Sequence, residues 1–356
     1  MSKLWLLSRK RNNQNKREIM RIAIDAMGGD NAPLANIQAS IEASKQVTGL
    51  DIVLTGREQE IKQCFSELNV PYQNFTIIHA PQIIEPHEMP ADAFRKKKNS
   101  SIAAGIRLLK KREVEAFVSA GNTGAVVAFS ILNLGRLKGV LRPALASFFP
   151  VESGCTLALD VGATSDTKSM NLFQFAIMGS IYVEKIVGIQ RPTIALLSIG
   201  EERTKGKDIT YEAFALLERS PLNFMGNIEG NDILYGKANV VVMEGFVGNA
   251  MLKFGESVVH ILGDAIKNAV RGNLRYKIGG ILLRPAIKGL FNKMSYEEYG
   301  GAALLGVDGI VIVSHGRSKV KAIKNAILAA YKNAHEKINE IISLNLQKSK
   351  QEDTHE

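Results

Sequence analysis

Six short stretches of this chain combine glycine with polar or charged residues suited to holding an anion. They are Asp25 with Gly28 and Gly29; Ser119 with Gly121, Asn122, Thr123 and Gly124; Asp160 with Gly162; Lys205 with Gly206; Gly245 and Gly248 with Asn249; and His315 before Gly316. Glycine lets backbone N–H groups come close to an oxyanion. A loop that opens a helix also presents its N–H groups at the positive end of the helix dipole. Lys205 adds a formal positive charge. The ligand this set predicts is a phosphate or an acyl oxyanion.

The same inventory disfavours other chemistries. GxxxxGK[ST] does not occur, and no GxGxxG follows the first predicted strand, which argues against a P-loop or an ordinary dinucleotide fold. The six histidines form no HExxH, and no catalytic triad is evident. Only His315 falls in a strand-end loop, where a structural hydrogen-bonding role is the alternative. Asp25, Asp30, Asp160 and Asp166 could hold Mg2+, but turn and capping roles suit them better, so neither a metal nor a cofactor is expected. A reaction of inorganic phosphate needs no triad. Phosphate is already ionised at neutral pH and can attack a carbonyl without a general base. The protein has to hold it, orient a thioester and stabilise the developing oxyanion.

These residues need a scaffold that brings strand ends together. Apolar runs at 21–25, 51–55, 75–79, 115–119, 156–161, 193–199, 239–243 and 309–313 alternate with helical stretches at 35–47, 57–68, 100–112, 123–134, 171–187 and 208–219. Alternation of this kind predicts βαβ units, a mostly parallel sheet and helices on both faces. The runs are continuously apolar, as strands buried on both sides are. In an open parallel sheet the six loops would all leave one carboxyl edge and form a polar crevice there. A last helix is expected at about 318–343, followed by a fraying polar tail, 344–356.

The chain has 356 residues, of which 46% are hydrophobic and 22% charged. That length allows a large buried core, and the composition is that of a globular protein. Cys64 and Cys155 stand far apart with no CxxC, so two reduced thiols are expected rather than a disulfide framework or a cysteine zinc site. The net charge is +10, but residues 1–19 carry six basic residues against Glu18, leaving 39 basic and 34 acidic residues elsewhere. Half of the excess thus sits in one short extension, and a nucleic-acid surface is not required. The extension, 1–19, is expected to be disordered or to lie upstream of the true start, with a membrane-touching basic arm as the alternative. From Met20 to 343 a single α/β domain is expected. Within it, 267–293 is basic and free of acids, carrying Arg275, Lys277 and Lys288 among Leu282, Leu283 and Ile287. Such a segment could lie on an anionic membrane, receive an acidic carrier protein, or turn its apolar face to the core or a second subunit.

An ordered set of motifs runs through the chain: DAMGGD at 25–30, RKKKNSS at 95–101, SAGNTGA at 119–125, GRLKG…RPALA at 135–146, LDVGA at 159–163, QFAIMGS at 174–180, Lys205-Gly206, GFVGN at 245–249, EYGGA at 298–302 and His315-Gly316. From about Met20 to Lys324 the chain resembles the bacterial phosphate acyltransferases of phospholipid synthesis. The resemblance implies a three-layer αβα fold, related to isocitrate and isopropylmalate dehydrogenases and to phosphotransacetylases, and a homodimer. It implies conversion of acyl-acyl-carrier protein and orthophosphate into acyl phosphate and free carrier protein. A membrane glycerol-3-phosphate acyltransferase would then use the product. It further implies a cytoplasmic protein held peripherally at the inner face of the membrane, with 267–293 as the region concerned. The family's active-site lysine and asparagine fall on Lys205, assigned to phosphate, and Asn249, assigned to orienting phosphate or the thioester carbonyl. The chain departs from the family pattern at Thr164 and Ser165, and at Glu244 and Val247, where a threonine hydroxyl beside Asn249 is lost. A β-decarboxylating dehydrogenase of related fold would need a hydroxy-acid, metal and adenosine constellation that the sequence does not show. A non-catalytic scaffold is opposed by Lys205 and Asn249 in intact glycine-rich loops.

Overall fold

The computed structural model describes residues 19–151, 154–293 and 300–352. The extension at 1–18 and part of the EYGGA motif lie outside the described residues. Among the described residues, eleven strands form one sheet in the order β3-β2-β1-β4-β11-β10-β5-β6-β9-β7-β8. They are β1 (Met20–Asp25), β2 (Leu50–Gly56), β3 (Thr76–His79), β4 (Ala116–Ser119), β5 (Ala144–Val151), β6 (Gly154–Leu159), β7 (Ile194–Leu197), β8 (Phe224–Ile228), β9 (Val240–Val242), β10 (Ala302–Leu305) and β11 (Ile310–Val313). The helices are α1 (Leu34–Gln46), α2 (Glu58–Glu67), α3 (Pro90–Lys96), α4 (Ser101–Lys110), α5 (Thr123–Leu134), α6 (Ser169–Tyr182), α7 (Asp208–Glu218), α8 (Gly230–Tyr235), α9 (Gly245–Arg271), α10 (Leu274–Lys293), α11 (Val320–His335) and α12 (Ile338–Glu352).

Because side chains alternate along a strand, each strand feeds two cores. Ile22, Ile24, Ile52, Leu54, Val118, Leu157, Leu159, Val240 and Val242 enter one, where Ile37, Phe65, Phe175 and Ile323 bring in α1, α2, α6 and α11. Ala23, Val53, Phe117, Ala158 and Val241 enter the other, with Ala93, Ile106, Val126 and Ile233 from α3, α4, α5 and α8. The result is the three-layer arrangement, with the strands buried on both faces.

The sheet is not parallel throughout. β10 is antiparallel to both β11 and β5, and β5 is antiparallel to β6, while the other seven pairings are parallel. Three reversals leave β6, β9, β7 and β8 running opposite to β1, β2, β3, β4 and β11. The register fixes where the two half-sheets meet. Ser119 pairs with Val313 and Val313 with Ala302; Ala303 pairs with Ala146, Ser147 with Ala158, Leu159 with Val242, and Val242 with Leu196. This one line of neighbours lies at the carboxyl ends of strands from both halves. The strand-end loops therefore converge as expected, but from two facing edges rather than along one.

The C-terminal region also differs from expectation. Instead of one helix over 318–343 there are two, separated at Lys337, whose φ of +51° is incompatible with a continuing helix. α12 then runs past 343 to Glu352 and packs on α6, burying Leu346 completely, so the frayed tail expected from 344 is helical instead. Residues 353–356 lie outside the described residues.

Candidate active site at the facing strand ends

A cavity of about 130 Å³ lies where the half-sheets face each other. Thr123, Ser147, Gly162, Asn249, Lys253, Glu256, Ser314 and His315 give it polar walls, and Leu145, Phe148, Val161, Leu252 and Val313 give it apolar ones. α5 and α9 both start beside it, from opposite half-sheets. Thr123, the first residue of α5, lines it, so the partial positive charge of that N-terminus faces the space, whereas α9 reaches it from Asn249 on, four residues past its start.

Asn249 reaches the cavity because α9 begins in tight contact with the 160–164 loop. A β-carbon on Gly248 would drive into the Asp160 carbonyl, and one on Gly162 would come within 3.2 Å of the Asn249 β-carbon. Beneath this contact Asp160 is fully buried and accepts only backbone N–H groups. Leu145, Gly162 and Ala163 donate to Oδ1 at 2.8, 3.0 and 2.9 Å, and Thr164 donates to Oδ2 at 2.8 Å. Burial pushes the Asp160 carboxyl above its ordinary range, against the pull of these bonds.

Asp25 terminates β1 in the other half-sheet and is equally buried. It accepts from the Met27 N–H at 3.1 Å and from the Ser119 hydroxyl at 2.7 Å, and burial again pushes its carboxyl up. Ser119 Oγ in turn accepts from the Gly121 N–H. Asn122 is likewise occupied by its own chain. Its side-chain oxygen caps α5 by accepting from the Ala125 N–H, and its amide donates to the carbonyls of Glu85, Pro86 and Glu88. The turn it holds is also tied by the Lys97–Glu88 ion pair.

The predicted residues thus fall into groups. Thr123, Gly162, Asn249 and His315 line the cavity. Asp25, Gly28, Gly29, Ser119, Gly121, Asn122, Gly124, Asp160, Gly245 and Gly248 build the loops around it. Lys205 and Gly206 belong to the 198–207 loop and are not among the lining residues. Lys205 is 49% exposed, and its ammonium lies 4.0 Å from Glu202. The loop is held by Ser198 Oγ donating to the Lys205 carbonyl and by Asn227 donating to the Glu202 carbonyl. It is moored to the start of α9 by Lys207, whose ammonium donates to Glu244 at 2.9 Å. Arg275, Lys277, Leu282, Leu283 and Lys288 are exposed on α10 and Ile287 is half-buried, away from the cavity.

Lys253 and Glu256 escaped the sequence reading, as did the cavity hydroxyl of Ser147. The available signal was helical spacing: Asn249, Leu252, Lys253 and Glu256 lie three, four and seven residues apart, which is one helix face. Using it required knowing that a helix starts at Gly245. Among the described residues, no cluster of three or more His, Cys, Asp or Glu side chains is arranged to hold a metal.

A family described as "Fatty acid synthesis protein" matches residues 20–341. A phosphate acyltransferase of Heliobacterium modesticaldum is 48% identical over 312 residues, covering 87% of this chain and 93% of the relative. One from Dictyoglomus turgidum is 45% identical over 331 residues, covering 92% and 98%. Among solved structures, a phosphotransacetylase from Streptococcus pyogenes superposes with a TM-score of 0.58 at 20% identity, covering 89% of this chain and 94% of that one. The EutD phosphotransacetylase from Staphylococcus aureus gives 0.56 at 17% identity, covering 88% and 94%. At such low identities these two structures speak to the fold alone.

Proposed function

This chain belongs to the fatty acid synthesis protein family, whose relatives at 45–48% identity are phosphate acyltransferases, and from that premise we propose that it moves an acyl group from acyl-acyl-carrier protein to orthophosphate. A phosphate oxygen attacks the thioester carbonyl and forms the new C–O bond. The tetrahedral oxyanion collapses, the C–S bond breaks, and the carrier's thiolate leaves and takes up, through water, the proton that hydrogen phosphate gives up. The products are acyl phosphate and free carrier protein.

The observation that carries this reading is the seat of Asn249. It is the fifth residue of α9 and lines a cavity on which the N-terminus of α5 opens. Asn249 is a neutral donor for the phosphate or for the developing oxyanion, and the N-terminal dipole of α5 adds positive potential to the same space. Lys205, with no fixed strong ion pair, is the cation assigned to phosphate, and its loop is moored to α9 through Lys207 and Glu244. Such a site needs neither metal nor cofactor, because its nucleophile is already ionised.

The α9–α10 hairpin supports the finer parts of the reading. No helix among the described residues is long and apolar enough to cross a membrane. α10 nevertheless exposes Ile281, Leu282 and Leu283 beside Arg275, Lys277 and Lys288, and has no acidic residue. That face suits peripheral attachment to an anionic inner-membrane surface, with the membrane glycerol-3-phosphate acyltransferase as the downstream partner. The exposed apolar residues of α9, Phe254, Val258 and Ile261, suit a homodimer contact.

The test is phosphate-dependent release of free carrier protein with direct detection of acyl phosphate. Lys205→Ala and Asn249→Ala are expected to lose roughly 100-fold or more in kcat/KM, the scale of losing an oxyanion donor. A folded parent that forms no acyl phosphate with any acyl chain length overturns the reading.

A further inference from the structure

We propose that Lys253 is a further substrate-contacting residue, a cation on α9 that takes an oxygen of the bound orthophosphate, and that Glu256, clasped by His315, holds it over the cavity. The inference rests on the acyl-phosphate-forming reading above.

Lys253 lies one helical turn beyond Asn249 and lines the same cavity, whereas Lys205 does not. Its ammonium donates to Glu256 Oε2 at 3.1 Å. The Glu256 side chain is only 16% exposed, and its Oε2 lies 3.4 Å from His315 Nε2. The other ring nitrogen of His315, Nδ1, accepts the Arg317 N–H at 3.1 Å. A nitrogen that accepts carries no proton, so Nε2 is the donor nitrogen of the ring, and it faces Glu256. The clasp therefore spans the cleft, joining a helix that follows β9 to the loop that follows β11.

Charge balance gives the cluster its meaning. Glu256 puts a carboxylate into the lining of a cavity that has to accept a phosphate dianion. Unless that charge is offset, it repels the ligand. Lys253 is the offsetting charge among the lining residues. An ammonium has three N–H donors, and Glu256 takes one of them. Two remain for an oxyanion, on a side chain already held in place, so less rotamer freedom is lost when phosphate binds. His315 is assigned to holding Glu256 rather than to proton transfer.

The experiment measures initial rates against orthophosphate at saturating acyl-carrier protein, together with the rise in Tm that orthophosphate alone produces. Lys253 is 57% exposed, so Lys253→Ala and Lys253→Met leave the core untouched. Both are expected to raise the phosphate KM roughly 10- to 100-fold, the loss of a charge-assisted hydrogen bond, with a smaller change in kcat, and to abolish the phosphate-induced Tm rise. Lys253→Arg should recover part of each. Glu256→Ala should also raise the phosphate KM, whereas Glu256→Gln, which keeps an acceptor for His315, should not. A role confined to anchoring α9 would lower Tm and kcat with the phosphate KM unmoved, and that result overturns the proposal. So does equal phosphate stabilisation of parent and Lys253→Ala, or none of the parent. If phosphate stabilises the parent through Lys253 but no acyl phosphate forms, the reaction assignment fails and the phosphate contact stands.

Discussion

Asp25 and Asp160 occupy matching places in the two half-sheets, yet they are held differently. Each ends a strand, each is buried, and each precedes a glycine-containing loop at the cleft. Asp25 takes the Met27 N–H and the hydroxyl of Ser119, a side chain from β4, and is also drawn to the Ser101 hydroxyl at the start of α4 and the Gly28 N–H, so it ties elements of its own half together. Asp160 takes four backbone N–H groups, one of them from Leu145 on β5. It therefore ties the second half to the strand that joins the halves, and its carbonyl touches the start of α9 just before Asn249. The first aspartate supports a wall; the second supports a wall and aims a side chain. Burial alone would rank them as equals, and the identity of their partners separates them.

Substitution can break or sharpen that contrast. Asp160→Ala should have the largest effect, about 3–4 kcal/mol in chemical denaturation, because four N–H groups, those of Leu145 and Thr164 buried, lose their acceptor, and residual activity should be lost with the seat of Asn249. Asp160→Asn should remain severe, at about 3 kcal/mol, since one of its two ends now presents N–H to N–H. Asp25→Asn should be milder, at about 1–2 kcal/mol, because the Ser119 hydroxyl can turn and accept from the new amide. Equal costs at the two positions would end the distinction. Ser119→Ala should cost about 1 kcal/mol and leave the phosphate KM within about twofold of the parent. The smallest effect is a pH dependence at Glu256. Burial pushes its carboxyl up, but His315 and Lys253 together hold it below its ordinary range. A depressed carboxylate contributes stability that is present above the unfolded pKa of about 4.3 and is lost as pH falls through the folded value. The stability difference between parent and Glu256→Gln should therefore be greatest near neutrality and shrink below about pH 4, as read from Tm against pH.

The sequence made the residues of the candidate site more legible than their arrangement. Eight apolar runs matched strands because parallel strands buried on both faces are apolar without interruption. Of the three strands that were missed, β5 is interrupted by Ser147 and Pro150 and β8 by Gly226 and Asn227, while β10, two alanines and two leucines, is apolar throughout but holds none of the β-branched or aromatic residues that mark a strand. Two of them, β5 and β10, carry the reversals, which is why the loops were expected along one edge. Asn249 and Thr123 were legible from glycine and helix-start signals. Ser119 and Asn122 looked alike in sequence, but their polar atoms are taken by Asp25 and by the 85–88 carbonyls, and no spacing rule announces partners so far along the chain. Lys253 was hidden by being an ordinary lysine inside a helix. Lys205 was legible as a cation in a glycine loop, and the structure adds its mooring to α9 through Lys207 and Glu244.

The meeting of two opposed half-sheets has a mechanical consequence. In a site built along one sheet edge, sliding a strand along its axis carries its loop past its neighbours and leaves the mouth about as wide as before. Here the loops confront each other end to end like the jaws of a vise, with β5 and β10 as the rails between them. Any slip of one half along those rails converts one for one into jaw opening. A fraction of an ångström in the antiparallel register at Ala303 and Ala146 is thus felt undiminished as the gap between Asn249 and His315.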